Sequence, residues 1–312
     1  MELSGQRIVV TGGAGLIGSR VAQRLAADND VIVVDNLANG RPESVPDAAT
    51  LLKGDLRDES VVAEAIDGSV DCVFHLAAAD KYVDTDSPRR QFEANTDITH
   101  NVLERMAAVG VDRLAFTSSC TVYGEAGEPT PEDYGPLEPI SGYGATKLAE
   151  EAACSVYAHS HGFTVWTFRF ANIVGPRFGA GVVPDFVEKL REDPETLTIL
   201  GNGRQEKSYM HVRECVDAMC HVVEHAGDHR EGPLYTYNLG TRDTTTVDRI
   251  AGIVSDEMGV DPEFEYTGGD RGWTGDVPRV FLPIDRLVAS GWEPDLTSDE
   301  SVRRATRELL AR

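Results

Sequence analysis

Tyr143 and Lys147 are two side chains whose types and spacing could transfer a proton together. They lie four residues apart in a run, SGYGATKLAEE, that reads as the start of a helix, and residues i and i+4 share one helix face. A nearby cation lowers the pKa of a phenol from its ordinary value of about 10. The pair therefore predicts a general base that works near neutral pH. A half-exposed helix face is the alternative for this spacing taken alone.

A second group of hydroxyls follows a strand candidate in the run FTSSCTVYG. A hydroxyl at the end of a strand can donate to an oxygen on which charge changes as a C–H bond becomes a carbonyl. Ser119, Tyr143 and Lys147 therefore form a candidate triad for hydride transfer. For Ser118 and Thr121 in the same loop, ordinary strand-end caps are the competing interpretation.

Three glycines, Gly12, Gly15 and Gly18, separate the first strand candidate from the first helix candidate. Glycine at these positions permits a tight turn, a close backbone approach to a pyrophosphate, and close packing of the helix on the sheet. Leu16 and Ile17 would open the helix, whose N-terminus attracts phosphate. The turn predicts a dinucleotide site, with a glycine-rich turn that binds nothing as the alternative.

Two acidic residues follow the next strands. Asp35 lies 20 residues after Gly15, where a carboxylate can accept hydrogen bonds from the adenosine ribose. The same charge would repel a 2′-phosphate, so the sequence favours NAD over NADP, although Arg41 nearby leaves this preference open. Asp55 could accept from the adenine amino group, or it could be a helix N-cap.

Short β-branched runs alternate with longer amphipathic segments in the first half of the chain. This alternation predicts an α/β fold, a Rossmann-type doubly wound parallel sheet with helices on both faces. The strand candidates are Arg7 to Thr11, Val31 to Asp35, Thr50 to Lys53, Cys72 to Leu76, Arg113 to Thr117 and Val165 to Phe170. The helix candidates are Leu16 to Ala27, Ser60 to Ile66, Phe92 to Ala108 and Tyr143 to His161.

The alternation loosens after about residue 170, where glycine and proline become frequent. We therefore expect an NAD-binding domain over 1–170, to which segments near 205–240 return. The remainder, 171–312, is expected to be mostly a smaller, irregular substrate-binding region at the carboxyl ends of the strands, where ligands bind in open α/β sheets.

Charge and composition exclude several classes of function. The net charge is −23 over 312 residues and is spread along the chain, which disfavours nucleic-acid binding because such a surface repels phosphate. Lysine is scarce beside arginine, a surface typical of proteins from salt-loving organisms. No apolar stretch is long enough to predict a membrane span or a secretory leader, so a cytoplasmic protein is expected.

The five cysteines do not have the spacing of a metal site, and their odd number is consistent with a reducing compartment. They are Cys72, Cys120, Cys154, Cys215 and Cys220. We expect them to be small buried apolar side chains, and no bound metal.

Several motifs together resemble a known family: TGGAGLIGS, DNLANG, GDLRD, HLAA, FTSSCTVYG and SGYGATKLAEE, followed by FRFANIVGPR, GNGRQEKSYMHVREC, GWTGDV and GWEP. In this order they resemble the extended short-chain dehydrogenase/reductases, specifically the NAD-dependent nucleotide-sugar epimerase/dehydratase group. Within that group the sequence is most similar to UDP-glucose 4-epimerases. The resemblance spans nearly the whole chain and is more specific for the family than for the substrate.

The resemblance implies roles for individual residues. Ser119 and Tyr143 would do the acid/base work, and Lys147 would hold the nicotinamide ribose. Beyond the glycine turn, the residues implied to line NAD are Asp35, Asn36, Asn39, Gly40, Asp55, Leu56, Leu76, Ala77, Ala78, Asn95 and Ser118.

The substrate residues are also implied by resemblance. Ser119 and Asn172 would contact the nucleotide-sugar, while Lys207 stands where many relatives have an arginine that meets the diphosphate. Lysine keeps the charge but cannot bind in bidentate fashion. Arg271 lies close to the place of a second family arginine. Solvated surface side chains are the alternative for both Lys207 and Arg271.

The loop after Ser119 distinguishes between reactions of the family. Dehydratases of this group carry acidic residues where this chain has Cys120 and Thr121, so the resemblance disfavours elimination of water. It implies NAD-dependent 4-epimerisation of a nucleotide-sugar, with a UDP-sugar favoured, through a transient 4-keto intermediate. A nucleotide-sugar ketoreductase, dehydrogenase or dehydratase is the alternative, and a catalytic role for Cys120 stays open. A non-enzymatic relative would commonly lack the intact Tyr143 and Lys147 pair.

Two helices usually form a homodimer in this family. The resemblance implies that one of them is the helix that carries Tyr143 and Lys147, and that the other is Phe92 to Ala108.

Overall fold

The computed structural model describes residues 1–79, 88–127, 129–177, 181–226, 232–273 and 275–312. Thr274, within the GWTGDV motif, lies outside these ranges. Seven strands form one sheet with the order β11-β6-β5-β4-β1-β2-β3. They are β1 (Arg7–Thr11), β2 (Asp30–Asp35), β3 (Thr50–Lys53), β4 (Cys72–His75), β5 (Arg113–Ser119), β6 (Thr164–Phe170) and β11 (Leu234–Leu239).

The central strands are apolar and buried because helices cover both faces of a parallel sheet. Ile8, Val9 and Val10 in β1 are fully buried, and β1 pairs in parallel with both β2 and β4. The predicted α/β class with a Rossmann-type parallel sheet is confirmed, and the six predicted strands all form with bounds that shift by no more than two residues.

The remaining strands form small sheets of two or three strands. They are β7 (Asn172–Val174), β8 (Thr196–Ile199), β9 (Glu206–Lys207), β10 (Tyr209–His211), β12 (Thr245–Thr246), β13 (Glu263–Tyr266) and β14 (Arg279–Val280). Parallel pairing joins β10 to β7 and β13 to β8, whereas β12 pairs with β9 in antiparallel fashion.

The helices include the four that the apolar periodicity predicts. The helices are α1 (Leu16–Leu25), α2 (Glu59–Ala65), α3 (Pro88–Val109), α4 (Gly142–His161), α5 (Val182–Glu192), α6 (Val212–His225), α7 (Val247–Met258), α8 (Asp285–Ala289) and α9 (Ser298–Leu310). Their ends follow ordinary capping rules. Thr297 and Glu300 form a reciprocal capping box at α9, and Gly259 ends α7 in the left-handed conformation that glycine adopts without strain.

The chain divides into two compact units. The first comprises Met1–Ser119, Ala145–Arg169 and Val216–Tyr237. The second comprises Cys120–Gly144, Phe170–Cys215 and Asn238–Arg312.

Each unit has its own apolar core. In the first unit, side chains of β1 and β4 pack with the buried faces of α2, α3 and α4. In the second unit, the core lies among α5, α7 and α9 and the strands beside them.

The cysteines behave as predicted: all five are free and buried. Burial raises the pKa of the Cys72 and Cys220 thiols to about 12 and that of Cys154 further still. Over the described ranges, no helix combines the length and apolarity needed to cross a membrane. No group of three or more His, Cys, Asp or Glu side chains in those ranges could hold a metal ion.

Candidate active site

The glycine turn between β1 and α1 has the geometry that a dinucleotide requires. Gly12 has a φ of +65°, and a Cβ atom there would lie 2.8 Å from the backbone nitrogen of Ala77. A Cβ on Gly18 would collide with the carbonyl oxygen of Gly12. Helix α1 begins at Leu16, and its N-cap residue, Gly15, has no side chain that could accept from the first-turn N–H groups. The first-turn N–H groups therefore suit a phosphate.

The carboxylate of Asp35 is fixed beside this turn. Its Oδ2 accepts a hydrogen bond of 2.9 Å from the backbone nitrogen of Ala14, and its Oδ1 accepts one of 2.8 Å from that of Leu37. A Cβ on Gly40 would lie 2.8 Å from Oδ1, so the backbone can approach the carboxylate only where this residue is glycine. A carboxylate has about four acceptor sites, which leaves capacity for ribose hydroxyls.

The interpretation of Asp55 as a helix N-cap is wrong, because Asp58 caps α2 by accepting from the backbone nitrogen of Ser60. Asp55 instead receives the guanidinium of Arg57 at 2.7 and 3.0 Å. Hydrogen bonding to Arg57, with a contribution from the Asn36 amide, lowers the pKa of Asp55 to about 2. Asp55 is therefore an ionised acceptor at neutral pH.

The segment after β4 is held by buried polar side chains. Thr11 Oγ1 accepts from the backbone nitrogens of Leu76 at 3.1 Å and Ala77 at 3.2 Å. Asn95 is fully buried and accepts from the backbone nitrogen of Ala79. Its Nδ2 has no hydrogen-bond partner in the part of the chain that the structure describes. A buried amide donor without an acceptor is costly, so this atom fits a role in binding a ligand.

Residues named for the first unit differ in exposure. Leu56 is buried and Ile17 is half-buried. The side chains of Asn36, Asn39 and Ala78 are exposed.

The hydroxyl of Ser118 donates 2.5 Å to Glu151, which also pairs with Arg169 at 2.7 Å. It is therefore not a strand-end cap. Ser119 follows it as the last residue of β5 and is half-buried, at the carboxyl edge of the sheet, as the sequence predicts.

Lys147 is buried to 2% exposure in α4. Its Nζ lies 3.0 Å from Glu150 Oε2 and 4.9 Å from the centre of the Phe116 ring. A desolvated ammonium needs such partners to stay charged. The interpretation of the Tyr143 and Lys147 pair as a half-exposed helix face is wrong for the lysine.

Tyr143 lies in the first turn of the same helix, four positions before Lys147. The turn is fixed by Ser141, whose Oγ accepts from the backbone nitrogen of Gly144 at 3.0 Å. A Cβ on Gly144 would lie 2.7 Å from the carbonyl oxygen of Thr121, so the start of α4 packs closely on the loop that follows Ser119.

Lys207 and Arg271 belong to one polar cluster of the second unit. Lys207 pairs with the buried carboxylate of Asp276, which also accepts from the backbone nitrogen of Gly272 at 3.0 Å. Arg271 donates to the Asp276 carbonyl at 2.9 Å and to Glu125 at 2.9 Å. The interpretation as solvated side chains is wrong for Lys207, which is 17% exposed. The sequence did not indicate that one aspartate joins the two cations.

Asn172 opens β7 and is half-buried. Its backbone nitrogen donates to the Ser208 carbonyl at 3.2 Å, and its Nδ2 lies 3.4 Å from the same oxygen. The pairing of β7 with β10 therefore fixes the backbone of Asn172.

Comparison with known proteins identifies the family. The family model described as the NAD dependent epimerase/dehydratase family matches residues 8–240. The chain belongs to this family. It is an NAD-dependent enzyme of the nucleotide-sugar epimerase family, and the glycine turn, Asp35 and the buried Asn95 amide fit the cofactor.

Solved structures and curated relatives agree with this assignment. A crystal structure of a UDP-galactose 4-epimerase is 40% identical, covers 98% of this chain and 99% of its own, and superposes with a TM-score of 0.89. The UDP-glucose 4-epimerase of Thermotoga maritima, solved with UDP-glucose, is 30% identical, covers 98% and 99% of the chains, and has a TM-score of 0.88. UDP-glucuronic acid decarboxylase 4 of Arabidopsis thaliana is 34% identical over 98% of this chain and 69% of its own.

Proposed function

We propose that the protein interconverts UDP-glucose and UDP-galactose by epimerisation at C4, with NAD as the bound cofactor. The observation that carries the proposal is the combination of Ser119, Tyr143 and Lys147 with Cys120 and Thr121. The first three supply proton and hydride chemistry, and the last two stand where dehydratases of the family carry acids. The similarity to 4-epimerases at 30% and 40% identity supports the same reaction.

The chain's own residues would act on the C4 oxygen. Tyr143 removes the proton of the C4 hydroxyl, and Ser119 donates a hydrogen bond to the same oxygen as it becomes a carbonyl. Lys147 would hold the nicotinamide ribose, one helical turn after Tyr143 on the same helix. NAD, when bound, would supply the acceptor for the C4 hydride and the source from which it returns to the opposite face of the 4-keto sugar. Proton and hydride both return to the sugar, so the reaction is redox-neutral.

The second unit would bind the nucleotide-sugar. Lys207 and Arg271 carry the positive charges that the diphosphate needs, and Asn172 would contact the sugar nucleotide. The ion pairs with Asp276 and Glu125 set a cost for this binding, because a phosphate must replace or share these partners. UDP is proposed over other nucleotides on the basis of the relatives.

The test is a panel of nucleotide-sugars assayed by chromatography or NMR, with the nicotinamide content of the purified protein measured in parallel. UDP-glucose, UDP-galactose, UDP-N-acetylglucosamine and UDP-glucuronic acid form the panel. We expect bound nicotinamide and interconversion of the first pair without net NADH. Protein that neither retains nicotinamide nor converts either sugar would rule the proposal out.

The 34% identity to a UDP-glucuronic acid decarboxylase favours a second candidate, a net reaction on a related UDP-sugar. Release of CO₂ from UDP-glucuronic acid would identify a decarboxylase. Stoichiometric appearance of NADH would identify a dehydrogenase or ketoreductase, and loss of water would identify a dehydratase.

The oligomeric state and the division of labour within the chain are further parts of the proposal. We propose a homodimer formed through α3 and α4, whose side chains Phe92 and Val156 are 39% and 58% exposed. We also propose that 1–170, with segments from 205–240, binds NAD, and that most of 171–312 binds the sugar nucleotide.

A further inference from the structure

A network of buried polar side chains, here called the buried polar network, crosses the first unit from α4 to β1. It begins at Lys147 and Glu150 on α4, passes Thr99 on α3 and His75 on β4, and ends at Thr11 on β1. All five side chains are at most 2% exposed. Such a network is costly to bury unless each member has a partner, and here neighbouring members are in contact along its whole length.

The contacts run in sequence from one end to the other. Lys147 Nζ lies 3.0 Å from Glu150 Oε2 as an ion pair, and Thr99 Oγ1 donates to Glu150 Oε1. His75 Nε2 lies 3.0 Å from Thr99 Oγ1, and His75 Nδ1 lies 2.7 Å from Thr11 Oγ1.

Counting donors fixes the direction of these bonds. A carboxylate paired with an ammonium only accepts, so the proton of Thr99 points to Glu150. Thr99 must then accept from His75, which places the imidazole proton on Nε2. His75 Nδ1 therefore accepts from the hydroxyl of Thr11. Burial, together with the charge of Lys147, lowers the pKa of His75 to about 3, and the neutral ring has the one donor and one acceptor that this order needs.

The other end of the buried polar network, at Thr11, contacts the backbone of the segment that follows β4. Thr11 Oγ1 accepts from the backbone nitrogens of Leu76 and Ala77 at 3.1 and 3.2 Å. A Cβ on Gly12 would meet the same Ala77 nitrogen, so this backbone packs directly on the glycine turn. The hydrogen bonds therefore all run in one direction, from the backbone nitrogens of residues 76 and 77 to the carboxylate of Glu150.

We propose that Glu150 is a positioning residue that keeps Lys147 charged and in place, and that Thr99, His75 and Thr11 tie this lysine to the backbone of the NAD site. The proposal rests on the proposed role of Lys147 toward the nicotinamide ribose. Glu150 itself touches neither substrate nor cofactor in the proposed reaction. Its effect passes through the ammonium.

Glu150 is the carboxylate in ion-pair contact with Lys147 among the described residues. On β5 the lysine lies over the uncharged ring of Phe116, and its charge acts on the imidazole of His75 on β4, whose pKa it helps to lower. The neighbouring Glu151 on α4 is paired with Arg169 at 2.7 Å. Removal of the Glu150 charge would therefore take away the carboxylate that lies 3.0 Å from the ammonium.

The first test replaces Glu150→Gln, which keeps an acceptor for Thr99 and removes the charge. A buried lysine without its carboxylate loses its proton at lower pH. We expect the alkaline limb of the pH profile of kcat to move down by on the order of one to three pH units. The affinity of cofactor-free protein for NAD, measured by calorimetry, should fall by about tenfold or more.

Glu214→Gln is the matched control, because Glu214 is another buried glutamate that accepts from backbone nitrogens of residues 295 and 296. It should leave NAD affinity and the pH profile unchanged. Equal losses in both variants, or no change in Glu150→Gln, would overturn the proposal.

If Glu150→Gln does not fold, a second pair of variants tests the same buried polar network. Thr99→Val removes the hydroxyl without changing the size of the side chain, and Thr99→Ser restores it. We expect Thr99→Val to weaken NAD binding by about fivefold or more, since two buried polar groups lose their partner. Thr99→Ser should stay within about twofold of the original chain. Equal NAD affinities for the valine and serine variants would contradict a role of the buried polar network in NAD binding.

The imidazole gives a readout that does not depend on activity. Nitrogen-15 NMR of His75, assigned by comparison with His75→Gln, should show the neutral ring with its proton on Nε2. A proton on Nδ1, or titration near pH 6.5, would contradict the hydrogen-bond direction that the buried polar network requires. If the original chain converts no UDP-sugar, the proposed function fails, while NAD affinity and the His75 tautomer still decide the role of Glu150.

Discussion

Lys147 carries its charge where water does not reach it, with 2% of its surface exposed and Glu150 at 3.0 Å. Desolvation alone would drive such a group toward its neutral form. The carboxylate offsets this cost, which lets a buried lysine act as the fixed positive charge that the proposed reaction needs. The same low dielectric makes each neighbouring polar group sensitive to the loss of its partner.

Tyr143→Phe removes the phenol oxygen and keeps the ring. We expect kcat for UDP-galactose conversion to fall by about 10² to 10⁴, the usual contribution of a general acid/base, with NAD retained. Tyr266→Phe on β13 is the control, because Tyr266 is 47% exposed and lies outside the proposed site. A loss of no more than a few-fold in Tyr143→Phe would contradict its role.

His75 should make the fold less stable in mild acid. Burial lowers its pKa to about 3, whereas the unfolded chain titrates near its ordinary value of about 6.5. Between these values the unfolded state binds a proton that the native state does not. The free energy of unfolding therefore falls by up to about 1.4 kcal/mol per pH unit as pH drops below about 6.5, and is unaffected above it.

Urea unfolding at several pH values between about 5 and 8 measures this slope. His75→Gln keeps an N–H donor but cannot titrate, so its slope in the acid range should be smaller than that of the original chain. Identical slopes would show that the imidazole is protonated in the folded state as readily as in the unfolded one.

Helices α3 and α4 each have one face in the apolar core and one face exposed to solvent. The inner faces of both helices belong to the core of the first unit, and Lys147 and Glu150 lie on the buried side of α4. The outer face of α4 exposes Val156. An apolar side chain at 58% exposure is ordinary when alone, but together with Phe92 on α3 it fits the proposed dimer contact.

Val156→Glu should convert the proposed dimer to a monomer, because it places a charge at an apolar interface. Light scattering coupled to size-exclusion chromatography measures the mass. Leu200→Glu is the matched control, since Leu200 is 48% exposed and lies on neither helix. A dimer that survives Val156→Glu, or a monomeric original chain, would contradict the proposed contact.

The protein carries a net charge of −23, so repulsion between carboxylates acts over its surface. Like charges spread over a surface repel one another and destabilise the compact state. Salt screens this repulsion, because the Debye length falls from about 10 Å at 0.1 M to about 3 Å at 1 M.

We expect the Tm to rise as KCl increases from about 0.1 M to about 1 M, because the added salt screens this repulsion. Scanning calorimetry at constant pH measures the effect, and NaCl should give a similar rise if screening is the cause. A Tm that stays constant or falls over this range would contradict the environmental interpretation of the charge.

The local sequence was sufficient for features that depend on nearby residues. The six predicted strands, β1 to β6, and the first four helices follow from apolar periodicity. The glycine turn follows from its three glycines, and the candidate pair of Tyr143 and Lys147 from helical spacing. Each of these involves residues within a few positions of one another or a repeated strand and helix pattern. The family followed from the order of the motifs along the chain.

Tertiary structure alone decided which distant side chains meet. Asp58 rather than Asp55 caps α2 because the helix starts three residues later than an Asp55 cap would require. Asp276 joins Lys207 across 69 residues, and Thr99 reaches Glu150 across 51. No periodicity records such pairs, since they arise when separate strands and helices pack together. The sequence identified the lysine, and the packed core identified the glutamate that keeps it charged.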